Sequence, residues 1–257
     1  MRDRGDVSSL GLMVCVALLS GCLGQEQTAE ELDSLDEPSD ARAEENAEMP
    51  SSLRRAFIAA RMAEAAPEHA FVEVSENTTV LRALNAEQGL DVTITAEGLF
   101  VTTSRRESWQ AVLSLAALGR GDQRREPAEA RIEAQGNRVA LQRGVLTEWY
   151  LNGPLGLEQG FDLSERPTGD GPLVIDVELG EGFRPELTEA GDAVVLFEGN
   201  QGRLRYSDLF ALDAEGRELP TRMEVEGRTI RLVVDDAEAL YPITIDPLIG
   251  VQQGKLT

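Results

Sequence analysis

The feature that most limits what this chain can fold into is a change of hydrophobic period at Pro67. Before it, Leu53, Phe57, Ile58 and Met62 recur at helical spacing; after it, apolar residues recur at every second position, as in Leu90, Val92, Ile94 and in Leu173, Ile175, Val177, Leu179. Period two sends successive side chains to opposite faces of an extended strand, so each run has one face to bury. The reading is mostly β: antiparallel, β-sandwich-like module or modules with one N-terminal helix. The helix is expected over 51–67, capped by Ser51 or Ser52 after Pro50 and closed by Pro67.

Hairpins are expected where two such runs flank a short glycine-containing turn. The first runs through Ala96-Glu97-Gly98, the second through Gly136-Asn137 and the third through Glu226-Gly227. Ala193 to Phe197 is nearly all apolar and reads as a central strand. Glu-Gly pairs at 97–98, 198–199, 215–216 and 226–227 punctuate the pattern. A β-rich module over 68–165 and a second, sandwich-like one over 166–248 are the expected bodies.

The first residues follow a different logic. Arg2 and Arg4 precede the apolar run Leu10 to Leu19, too short for a stable membrane-spanning helix but suited to a signal-peptide core. The run ends in Leu19-Ser20-Gly21-Cys22, which resembles the lipobox of bacterial lipoproteins. The resemblance implies a signal peptide over 1–21, cleavage ahead of Cys22 and a diacylglycerol thioether on its sulfur. Leu23 in place of aspartate then points to the outer membrane or cell surface, with the membrane as partner through that lipid. Cys15 would leave with the signal, so no thiol would remain for a disulfide, a metal or a nucleophile.

From Leu23 to Pro50 the chain carries ten acidic residues and one arginine. Such a stretch cannot bury enough apolar surface to offset its ordering entropy, so residues 22–50 are expected as a lipidated, disordered, self-repelling tether. About 28 residues of random coil reach roughly 30 Å. The formal net charge of the chain is -22, which repels phosphate backbones and argues against nucleic-acid partners.

Residues that carry chemistry are sparse. The single histidine, His69, reads as a junction residue, since a triad or a His-based metal site needs partners that the sequence does not signal. Asp235-Asp236 with Asp246 forms a candidate carboxylate set, but 46 acidic residues produce such sets by chance, so these are expected as solvated strand-end and turn residues. Trp109, Trp149 and Tyr150 are candidates for a sugar-stacking platform. Trp149 and Tyr150 are neighbours on a strand and point to opposite sides, so at most one joins a flat platform, and core packing is the expectation for both tryptophans. No cofactor fingerprint, catalytic set or calcium loop is found.

Three stretches carry a further resemblance: Glu148 to Phe161, Tyr206 to Pro220 and Tyr241-Pro-Ile-Thr-Ile-Asp-Pro-Leu248. They resemble the segment preceding FG-GAP, or integrin-alpha-like, repeats in large bacterial surface lipoproteins. Residues 249–257 resemble the opening of a first repeat, which reads as a truncated repeat region; calcium would belong only to repeats that this sequence lacks. The resemblance implies a non-catalytic surface role in adhesion or scaffolding, with an extracellular protein or polysaccharide as partner. The alternative is a carbohydrate-binding or carbohydrate-cleaving surface protein.

Overall fold

A computed structural model describes residues 49–75, 78–103, 109–121 and 123–252. The lipobox residues Leu19, Ser20, Gly21 and Cys22, the tether up to residue 48 and residues 253–257 lie outside the described residues. The described chain opens with helix α1 (Ser51–Met62) and a 3-10 turn at Pro67–His69. The strands that follow in the first half are β1 (Val72–Glu73), β2 (Leu81–Asn85), β3 (Leu90–Thr95), β4 (Gly98–Thr103), β5 (Gln110–Arg120) and β6 (Gln123–Arg125). Next come β7 (Arg131–Gln135), β8 (Arg138–Arg143), β9 (Leu146–Gly153) and β10 (Gly156–Leu163). The second half contributes β11 (Leu173–Leu179), β12 (Phe183–Leu187), β13 (Ala193–Glu198) and β14 (Gln201–Leu212). It ends with β15 (Glu218–Leu219), β16 (Thr221–Glu226), β17 (Thr229–Val234) and β18 (Ile243–Val251). No described helix is long and apolar enough to cross a membrane.

The strands form two antiparallel sheets. Sheet I runs β1-β2-β3-β4-β5-β11-β17-β16 with β6 beside β5; sheet II runs β12-β13-β14-β18-β10-β9-β8-β7 with β15 beside β14. One apolar core lies between them, filled by Val92, Ile94, Leu113 and Ile175 from sheet I and by Tyr150, Phe161, Tyr206 and Ile245 from sheet II. The period-two runs are the reason: each strand offers one apolar face, and two such faces bury each other.

The expected division at residue 165 is corrected by strand pairing. β5 hydrogen-bonds to β11, and β10 to β18, so 68–165 and 166–248 contribute to both sheets rather than forming separate modules. A sheet ending at β10 would leave that strand's second edge unpaired, and β18 supplies the missing ladder. Ile249 to Val251, expected to open a repeat, belong to the end of β18.

The three hairpins form as expected, β3–β4, β7–β8 and β16–β17. Gly98 is positive in φ (147°), and a Cβ there would stand 2.5 Å from the Leu113 carbonyl oxygen of β5, so close strand approach as well as backbone freedom requires glycine.

Helix α1 departs from expectation in three ways. It ends at Met62, short of Pro67, and it starts from Pro50 with no side-chain cap; the Ser51 hydroxyl instead donates to Glu218 at 3.0 Å. Leu53 and Phe57 are exposed (57% and 51%), while Ile58 and Met62 are buried. At about 100° per residue the two pairs lie roughly 140° apart around the helix, so they belong to different faces. The inward face carries Arg54, Arg55, Ile58 and Met62.

Candidate functional site

Strand β9 alternates Glu148, Tyr150 and Asn152 toward the core with Trp149 and Leu151 on the outer face of sheet II. The expected opposition of Trp149 and Tyr150 is therefore present. The platform is not: Trp109, Trp149 and Tyr150 are 8%, 5% and 0% exposed. Trp109 meets Phe183 edge-on in the core, with ring centroids 5.9 Å apart. Trp149 lies against Gly160, where a Cβ would fall 2.0 Å from its ring, and the Arg138 guanidinium covers it at 4.2 Å. Its indole Nε1 is buried without a hydrogen-bond partner among the described residues. Trp149 thus packs outside the main core, under a cation, and presents no free face to a pyranose.

The inward residues of β9 build a polar network inside the sandwich. Tyr150 donates to Glu148 Oε1 at 2.5 Å, and Gln159 Nε2 donates to the same oxygen at 3.1 Å. Tyr206 donates to Gln159 Oε1 at 2.9 Å. Arg143 reaches Glu148 Oε2 at 3.3 Å and donates to the carbonyls of Ala128 and Ala96 at 2.9 and 2.8 Å. Burial first, then the Glu148 charge, pushes the Tyr150 phenol well up, and the same causes raise Tyr206. Both phenols therefore stay protonated donors. A second clasp ties the sheets where Asn85 Nδ2 donates to Asn152 Oδ1 at 2.9 Å and Asn152 Nδ2 donates to the Leu84 carbonyl at 3.1 Å. The sequence signal for both was the run of hydrogen-bonding side chains Glu148, Tyr150 and Asn152 at three successive inward positions of β9, hidden by the neighbouring Trp149.

The carboxylates Asp235, Asp236 and Asp246 serve three different environments. Asp235 is exposed and accepts from the Ala237 amide. Asp236, expected in solvent, is only 1% exposed, and its carboxylate is gripped by the buried Arg120 and by the Tyr241 hydroxyl at 2.5 Å. Arg120 uses its other nitrogens on the carbonyls of Pro167 (2.8 Å) and Gly171 (2.7 Å). The reason is that a guanidinium buried at the end of β5 needs a fixed counter-charge. Asp246 stands on the outer face of β18, coupled electrostatically to Glu158 on β10. Burial pushes Glu158 up to about 7 against the pull of Arg138, and burial together with the Glu158 charge raises Asp246 well above the usual carboxylate range.

His69 is fully buried at its junction. Its Nδ1 accepts the Ala66 amide at 3.1 Å, its Nε2 faces Glu87 at 3.1 Å, and its carbonyl accepts from Asn152 Nδ2 at 3.0 Å. Its role is to fasten the turn after α1 to the sheets.

Helix α1 lies on the outer face of sheet II. Arg54 pairs with Asp208, Arg55 stands 5.6 Å over the Phe210 ring, and the Met62 sulfur is 2.9 Å from where a Cβ on Gly153 would be. Asp208 has φ 59°, a left-handed conformation that asparagine and aspartate tolerate better than most residues, at a bulge between Ser207 and Phe210. Among the described residues no group of three or more His, Cys, Asp or Glu side chains is placed to hold a metal ion.

The fold and these clusters define a two-sheet antiparallel β module with a helix strapped across one outer face. Comparison with protein-family models, with curated proteins and with solved structures finds no match.

Proposed function

We propose that this chain is a non-catalytic, lipid-anchored surface module that joins or positions a larger extracellular assembly of the FG-GAP type. The observation that carries the reading is where the three family-like stretches fall. Glu148 to Phe161 makes β9 and β10, Tyr206 to Pro220 spans most of β14 and β15, and Tyr241 to Leu248 leads into β18. In space, β14, β18, β10 and β9 are consecutive strands at the middle of sheet II. Stretches far apart in sequence thus meet as one continuous unit, which supports reading them as parts of one inherited module. The tetrapeptide Leu19 to Cys22 supports the lipid anchor and the membrane as partner.

The side chains best equipped for chemistry are engaged internally. Glu148 and Tyr150 bond each other, Asp236 holds Arg120, and Trp149 is covered by Arg138. This supports a structural rather than a catalytic role and removes the aromatic platform on which the carbohydrate reading depended. Labelled palmitate added to the expressing cell tests the anchor. Label is expected in the wild-type chain and absent from Cys22→Ser, and equal labelling of both overturns the assignment.

A further inference from the structure

Helix α1 crosses sheet II from Asp208 and Phe210 on β14 to Gly153 on β9, so the intervening strands β18 and β10 pass beneath it. Strand register places the residues below. Between the row containing Phe210 and Asp246 and the row containing Gly153 and Gly156 lies a row of Ser207, Leu248, Glu158 and Leu151. Glu158 therefore stands under the middle of the helix, and Asp246 under its first turns. Both point away from the core, because Leu157, Gln159 and Phe161 on β10 and Ile245 and Ile249 on β18 take the inward positions.

This pair is poorly matched in charge. Glu158 is only 6% exposed, and Asp246 beside it is half-buried. The cation acting on both is Arg138 on β8, which is also stacked on Trp149. Asp162 on β10 and Asp208 on β14 add negative charge. From the helix side, Arg54 is paired with Asp208, Arg55 faces Glu218 at 3.8 Å and Arg61 is paired with Glu64.

We propose that α1 is a proton-controlled latch, closed over the Glu158–Asp246 pair while the pair retains a proton and lifted when both carboxyls are ionised. A buried carboxylate beside a half-buried one, with Arg138 acting on both, is repelled by it, and lifting the helix admits the water that solvates the pair. Both groups bind protons more tightly with the helix down than in water. The closed form is therefore favoured fully below the ordinary carboxylate range and loses that advantage as pH rises through about 7 for Glu158. Lifting frees residues 51–66, while His69, held by Glu87 and Asn152, keeps the following turn on the body.

Amide hydrogen exchange on the full chain at pH 5.5 and 8.5, corrected for intrinsic base catalysis, tests the latch. The opening equilibrium for the amides of α1 is expected to rise roughly 30-fold between the two values from Glu158 alone. The α1 amides should also exchange faster than those of β11 at pH 8.5. In Glu158→Gln and in Asp246→Asn, each of which leaves one carboxyl without its repelling neighbour, the rise should shrink. If Glu158→Gln fails to fold, Asp246→Asn carries the comparison. A full rise in both variants, or α1 amides as slow as those of β11 at both pH values, overturns the proposal.

Discussion

The six-membered ring of Trp149 occupies the space above Gly160, its strand partner on β10, so closely that a methyl group on the glycine would stand 2.0 Å from two ring carbons. The tryptophan is a packing element of the outer face of sheet II, and the glycine is its seat. Gly160→Ala must displace either the indole or the strand. A destabilisation of about 1–3 kcal/mol is expected, in the range of overpacked sites. Urea unfolding of the variant checks this, and an unchanged midpoint would show that the indole moves away freely.

Arg120 and Asp236 form a nearly fully buried ion pair 116 residues apart in sequence. Removing Arg120 leaves the buried Asp236 carboxylate with the Tyr241 hydroxyl and the more distant Arg166 (3.8 Å), and deprives the carbonyls of Pro167 and Gly171 of their donor. Arg120→Met is expected to cost about 3–5 kcal/mol, whereas the double change Arg120→Met with Asp236→Asn should recover part of that loss. The double-mutant cycle is the measurement, and strictly additive losses would contradict a coupled pair.

How much of this was legible in the sequence depended on how local each cause was. The alternation from Leu173 to Leu179 sufficed for β11, and the apolar run at Ala193 sufficed for β13, which has paired neighbours on both sides. Burial of one face is a local property, so the pattern reported it. The place of Asp236 was not legible, because its partner arrives from β5 by a sheet pairing that no local pattern encodes. The exposure of Leu53 and Phe57 was readable from their angle around the helix, but their apolar character drew them onto the wrong face. The single sandwich built from both halves was hidden for the same reason as Asp236: β5 with β11 and β10 with β18 are long-range pairings.

Tyr150 and Tyr206 both reach Glu148, the first directly and the second through Gln159. Tyr150→Phe removes the shorter of the two bonds to Glu148 Oε1 and leaves a buried carboxylate with fewer donors. A loss of about 1–3 kcal/mol is expected, larger than for Tyr206→Phe, because the bond lost is to a charged group. Thermal unfolding of the two variants side by side provides the check. Equal losses would mean that the network does not centre on Glu148.

Glu158 also makes a prediction about the whole fold. Unfolding returns it to water, where its affinity for a proton falls to that of an ordinary glutamate, so the folded form is the tighter proton binder. Its contribution to stability is therefore complete below about pH 4.5 and is lost as pH rises through about 7. Up to about 3 kcal/mol is at stake for this group. The difference in unfolding free energy between wild type and Glu158→Gln, measured from pH 5 to pH 8, should change in the variant's favour across that window. This difference cancels the pH dependence of every other group that the substitution leaves alone, including most of the acidic surface. A difference that stays flat, or that moves in favour of the wild type as pH rises, would mean that Glu158 is ionised and satisfied in the folded protein.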